Sequence, residues 1–247
     1  MAADRRLVYL CGIAGYPARS PALDVVARAG WTIAVPELPG FDGRSGFRAP
    51  VDHLGWLVAV WDALDRTGAL PCPVIGASVG GMLATDLAAL RPEAVTAPAL
   101  LAPFGIFDEQ HPGLDLFAVP TAERMHHLFA KGVPEPFVER FGYLGPDEGP
   151  VARYLSDVAA ASLLWPLGDR GQAGRLHRIT CPRLALWGAQ DELLPEATSA
   201  AWVAGGVPVE VVAGAGHLLE WDTPEAVGAR LVEFLDHNQG GSDGSRR

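Results

Sequence analysis

The chain has 247 residues, enough for one large domain or two small ones, and 49% of them are apolar against 19% charged, which excludes a disordered chain. A formal charge of −10 excludes partners that reward clustered Lys and Arg, so neither nucleic acid nor an anionic membrane surface is expected. No apolar run approaches the ~20 residues that span a bilayer, and the three cysteines, Cys11, Cys72 and Cys181, cannot all pair.

Leu7 to Leu10 is a compact apolar run that ends in Cys11-Gly12-Ile13-Ala14-Gly15, a strand followed by a Gly-rich loop. Asp4-Arg5-Arg6 before it, and Gly12, Gly15 and Pro17 soon after, do not make a secretion signal. With free, buried thiols this predicts a cytoplasmic protein. Pro21 to Ala29 carries Leu23, Val26 and Ala27 at helical spacing, with Gly30 as its stop. Trp31 to Val35 is aromatic and β-branched, a buried strand, and Pro36-Glu37-Leu38-Pro39-Gly40-Phe41 follows as a loop. Val51 to Arg66 puts Leu54, Leu57, Val58, Trp61 and Leu64 on one face, and Gly68 closes that helix.

Pro73 to Ile75 then enters Gly76-Ala77-Ser78-Val79-Gly80, and an Ala/Leu-rich segment runs on to Leu90. Strand, tight turn and helix around G-x-S-x-G is the pattern of a nucleophile elbow, which holds a serine hydroxyl above the sheet. The glycines leave room where backbone crowds against backbone. Ala97 to Ala102 supplies another strand. Alternation at this spacing predicts parallel βαβ units with helices on both faces.

From Phe104 to about Thr180 the alternation stops. Thr121 to Lys131, with Thr121 as N-cap, and Pro150 to Ala161 read as helices in an excursion too long for a plain loop. Residues 104–180 are therefore expected to form a helical cap on a core made of 1–103 and 181–237, with 238–247 a disordered tail. The alternation resumes with a strand at Arg183 to Trp187, a helix at Pro195 to Ala204, a strand at Val207 to Val212 and a helix at Thr223 to Leu235. The expected fold is α/β, a doubly wound, mainly parallel sheet of about six strands.

A serine hydroxyl needs a base to take its proton, usually an imidazole steadied by a carboxylate. Asp191 follows the strand ending at Trp187, and His217 follows the next strand. The elbow, the loop Pro36 to Phe41, the acid loop Gly188 to Asp191, the pair Gly216-His217 and the order Ser78, Asp191, His217 together resemble the α/β-hydrolases, from Leu7 to about Leu235.

The resemblance implies Ser78 as nucleophile, His217 as general base and then acid, and Asp191 as the group that orients the imidazole. It also implies an oxyanion hole made by the backbone amides of Val79 and Ile13, although Cys11-Gly12 stands where many members carry His-Gly. Asp108 is the rival acid, since some members draw theirs from the earlier strand. Trp165 and Leu193 are expected to touch substrate, and an apolar pocket suits an acyl chain, a ring or a small ester. His126-His127 is not expected to bind metal, because adjacent residues on a helix point in different directions. Cys11 is expected to be a packing thiol.

The implied function is a cofactor-free serine hydrolase cleaving an ester, thioester or activated carbon–carbon bond of a small, largely apolar substrate. The alternative is a non-hydrolytic lyase or a ligand-binding receptor on the same fold. A small-molecule substrate is the one partner expected, and nothing in the pattern specifies an oligomer.

Overall fold

A computed structural model of the chain describes residues 5–13, 19–41, 50, 52–120, 123–142 and 148–239. The expected helix start at Val51, the N-cap Thr121, loop residue Ala14 and the tail from residue 240 onward lie outside the described residues.

Six strands, β1 (Arg6–Leu10), β2 (Thr32–Ala34), β3 (Cys72–Ala77), β4 (Val95–Leu101), β5 (Leu184–Gly188) and β6 (Val209–Val212), form one sheet in the order β2-β1-β3-β4-β5-β6. Every neighbouring pair is parallel. The central strands are continuous apolar runs because both of their faces are covered. The chain winds one way from β1 to β2 and the other way from β3 onward. The carboxyl ends of β1 and β3 therefore flank the point where strand order reverses, which is where open α/β sheets bind ligands.

The helices α1 (Pro21–Arg28), α2 (His53–Thr67), α3 (Val79–Leu90), α6 (Ala200–Ala204), α7 (Leu219–Asp222) and α8 (Pro224–Asn238) surround the sheet. Asp52 caps α2 by accepting from the Gly55 amide at 2.8 Å, and Gly68 ends it in the left-handed conformation at φ 62°. α3 is buried from Val79 to Ala89, so it has no polar stripe, and its small residues let it sit against β1 and β4. α1 packs on α8, where Ala22 and Val25 leave no room for a side chain at Gly228.

Strand β2 is shorter than the expected Trp31 to Val35. Trp31 is buried but outside the ladder, and its indole donates to Asp236 at 3.1 Å. The segment expected to be helical from Pro195 opens as a 3-10 turn, Glu196–Ser199, before α6.

Between β4 and β5 lie α4 (Glu135–Gly142), α5 (Glu148–Leu164) and two 3-10 turns, Arg124–Leu128 and Leu176–Arg178. Among the described residues, the expected helix from Thr121 to Lys131 is that first turn alone. At Phe129 the chain becomes extended, and Leu128 and Ala130 give their backbone groups to the loop around His217 instead. Helix α4 was not expected from the spacing, although Pro136 in its first turn is a start signal. Among the described residues no helix is long and apolar enough to cross a membrane.

Candidate active site

Ser78 stands between β3 and α3 with φ 55°, the left-handed region that a residue with a β-carbon adopts only under constraint. The constraint is visible. The Ser78 amide donates to Leu101 at 2.7 Å, and its carbonyl accepts from Met82 at 3.1 Å and Phe104 at 3.2 Å. A β-carbon on Gly76 would overlap the carbonyl oxygen of Gly80, so the turn closes only with glycine at the strand's end.

His217 follows β6. Its Nε2 lies 2.8 Å from Ser78 Oγ, and its Nδ1 lies 2.9 Å from Asp191 Oδ2. All three side chains are buried. A carboxylate can only accept, so Nδ1 is the imidazole's donor to Asp191, and Nε2 is left with its lone pair toward the serine hydroxyl. Asp191 is held through its other oxygen, Oδ1, which accepts from the amides of Leu193 and Leu194 at 2.9 Å each.

Two further features hold the imidazole. Phe104 meets it edge-on with ring centroids 5.3 Å apart. Asp222 accepts from the Gly216 amide at 2.7 Å and from the Ala130 amide at 2.9 Å, tying the histidine loop to the segment between β4 and β5. Nothing in the sequence marked Asp222 beyond its position five residues after His217.

The loop after β1 passes directly over the serine, since a β-carbon on Gly12 would sit 3.2 Å from Ser78 Cβ. The amides of Ile13 and Val79 make no hydrogen bond among the described residues. The Val79 amide is one of the unpaired donors at the start of α3. Ile13 borders an apolar cavity of about 30 Å³ that Phe104, Leu116, Leu164, Leu167 and Leu193 also line.

Leu193 lines that cavity, and Trp165 does not. Trp165 is 57% exposed and stands edge-on to Phe117 outside that cavity, because α5 ends by turning Leu163 and Leu164 inward and the next side chain outward. Asp108 closes its own turn, accepting from the Gln110 amide and facing His111 Nδ1 at 2.8 Å, which holds its carboxyl below the usual range. His127 pairs with Glu192 at 2.6 Å, and His126 is exposed. Cys11 is buried and its thiol is pushed up to about 12 by that burial, the state of a packing residue. Among the described residues no group of three or more His, Cys, Asp or Glu could hold a metal ion.

A parallel sheet that carries serine, acid and histidine in this order, each beyond a strand's carboxyl end, is the arrangement of the α/β-hydrolase fold. The model of the alpha/beta hydrolase family matches residues 7–230, and the chain belongs to that family. It is similar to the dihydrolipoyllysine-residue acetyltransferase component of the acetoin cleaving system of Cupriavidus necator, 29% identical over 231 residues, covering 86% of this chain and 58% of that protein. It is also similar to the pimeloyl-[acyl-carrier protein] methyl ester esterases of Neisseria meningitidis serogroup A (27% identical, 68% of this chain and 55% of that protein) and Chromobacterium violaceum (29% identical, 83% and 75%). The chain spans little more than half the length of the first two. Among solved structures, a 2-hydroxy-6-oxo-6-phenylhexa-2,4-dienoate hydrolase from Rhodococcus superposes with a TM-score of 0.74 at 21% identity, over 94% of this chain and 91% of that one. That likeness shows the shared fold.

Proposed function

We propose that the protein is a serine hydrolase that cleaves an ester, thioester or activated carbon–carbon bond of a small, largely apolar substrate through an acyl-enzyme. The observation that carries this reading is the unbroken chain from Ser78 Oγ to His217 to Asp191, buried beside an apolar cavity. Ser78 Oγ attacks the substrate carbonyl as its proton passes to His217 Nε2. The carbonyl oxygen, now negative, is held by the amides of Val79 and Ile13. Collapse expels the leaving group, which takes the proton from His217, and water then repeats the sequence to release the acid. No step needs a metal or cofactor.

Ester cleavage is favoured by relatives named as methyl ester esterases. Residues 104–180 serve as the cap, since Leu116, Leu164 and Leu167 form the cavity wall. At about 30 Å³ the cavity is far below the ~300 Å³ of an ordinary ligand site, so substrate entry displaces these side chains. The three unpaired cysteines suit a reducing, cytoplasmic setting.

The test is a fluorophosphonate probe on wild type and Ser78→Ala, with p-nitrophenyl esters of increasing chain length as substrates. Labelling of wild type alone, with turnover lost in the variant, supports the reading. Equal labelling of both proteins, or of neither, ends it.

A further inference from the structure

Beside the apolar cavity lies an open hollow of about 310 Å³, lined by Asp115, Phe117, Ala118, Ala161 and Trp165. Two segments build both spaces. On the first, Leu116 lines the cavity, Ala118 lines the hollow, and Phe117 between them lines both. On the second, the end of α5, Leu164 lines the cavity while Ala161 and Trp165 line the hollow. Phe117 is therefore the wall between the two, and its ring stands edge-on to Trp165 with centroids 6.4 Å apart. A wall one side chain thick opens when that side chain rotates, and its backbone can stay where it is. Here the backbone is fastened. The Phe117 amide donates to Asp115 Oδ1 at 3.0 Å, and Arg124 donates to the Phe117 carbonyl at 3.4 Å while pairing with Asp157 on α5 at 3.0 Å. Trp165 keeps 57% of its surface exposed, uncommon for so large an apolar group.

We propose that the hollow is the outer half of the substrate pocket, that it takes the far end of a straight apolar chain, and that Phe117 is the gate between the halves. This rests on the reading of Ser78 as nucleophile. With about 30 Å³ in the cavity and about 310 Å³ in the hollow, a substrate whose carbonyl is held at Ser78 finds room for its remaining carbons past Phe117. The hollow alone supplies the ~300 Å³ of an ordinary ligand site. An opening left by one turned ring suits a straight chain better than a branched or fused one. Beyond it, Ala118 and Ala161 leave width beside the two aromatic rings, and methylenes lodged there leave water for apolar contact.

The experiment compares kcat/KM for p-nitrophenyl acetate and decanoate in wild type, in Ala161→Phe, which fills the hollow, and in Phe117→Ala, which removes the gate. Wild type is expected to favour the longer ester, by up to about fourfold for each methylene buried. The decanoate-to-acetate ratio is expected to fall tenfold or more in Ala161→Phe and to rise in Phe117→Ala. A ratio that stays put in the first variant, or fails to rise in the second, overturns the proposal. Should either variant not fold, binding decides. In Ser78→Ala the Trp165 indole NMR signal, identified by its loss in Trp165→Phe, is expected to shift with 1-octanol at concentrations where ethanol leaves it alone. No shift with octanol overturns the proposal, and a signal that moves only with protein concentration does so by assigning the hollow to a second copy of this chain. The binding measurement needs no turnover, so a failure of the hydrolase reading appears separately, as octanol binding in a protein that cleaves neither ester.

Discussion

A β-carbon added to Gly80, in the first turn of α3, would overlap the carbonyl oxygen of Leu10 at the end of β1. The start of the serine's helix is therefore pressed onto the strand whose next residues, Cys11 to Ile13, pass over Ser78. Gly80→Ala is expected to lower unfolding stability by about 3 kcal/mol or more, because backbone and not a flexible side chain must give way. Gly174→Ala, whose β-carbon would meet only the Gly171 carbonyl at 3.6 Å, is expected to stay within about 0.5 kcal/mol. Urea unfolding of the two variants checks both figures.

The two oxygens of Asp191 hold different partners, and an amide can serve only one of them correctly. In Asp191→Asn the side-chain oxygen can still accept from Leu193 and Leu194, but the NH₂ then faces His217 Nδ1 and forces the proton onto Nε2. The expected result is a fall in kcat of about 10³- to 10⁴-fold with a small change in stability. Single-turnover kinetics beside a melting curve would show it, and a loss of only severalfold would mean that Asp191 does not set the tautomer.

Stability should depend on pH through Glu220. Its folded carboxyl sits at about 7 against an ordinary value of 4.5, so between those values the folded chain holds a proton that the unfolded chain has lost. The contribution is complete below 4.5 and disappears as pH rises through about 7. Glu220→Gln removes this dependence. Relative to wild type it should gain about 3 kcal/mol between acid and mildly alkaline conditions, read from denaturant midpoints of both proteins at each pH.

Asp86 on α3 is fully buried and meets His53 Nε2 at 2.7 Å, Gln172 Nε2 at 2.8 Å and Arg175 Nε at 2.7 Å. It ties the serine's helix to α2 and to the stretch that returns from α5 to β5. Arg175 also donates to the Arg170 carbonyl, and the Arg170 amide donates to Gly105, so the tie reaches the cavity wall. Asp86→Ala leaves an uncompensated guanidinium and is expected to cost about 3 kcal/mol or more. Faster amide exchange across residues 170–176 should accompany it. Unchanged exchange there would show that this stretch is held by other contacts.

The sheet was legible because alternation is a local signal: each strand is a short apolar run, and each helix repeats its apolar residues every three or four positions. The turn at Ser78 was legible for a related reason, since the glycines around it leave room where backbone crowds against backbone. Elsewhere local spacing misled. The apolar residues from Met125 to Phe129 fit a helix, yet Leu128 and Ala130 turn their backbone groups to partners near residue 220. Trp165, at the end of α5, faces outward and lines a separate hollow with Phe117 and Ala161.

The sequence by itself determined the parallel sheet, the strained turn at Ser78 and the order in which a carboxylate and an imidazole follow it. These are properties of neighbouring residues, written in steric demand and periodicity. The tertiary structure alone decided that Ser78 and His217, 139 residues apart, come within 2.8 Å. It alone decided that Asp222 spans two segments, that Leu193 and not Trp165 lines the cavity, and that Glu220 is shut away from water. Burial and distance arise from packing among segments remote in the chain, and no local pattern records which segments those will be.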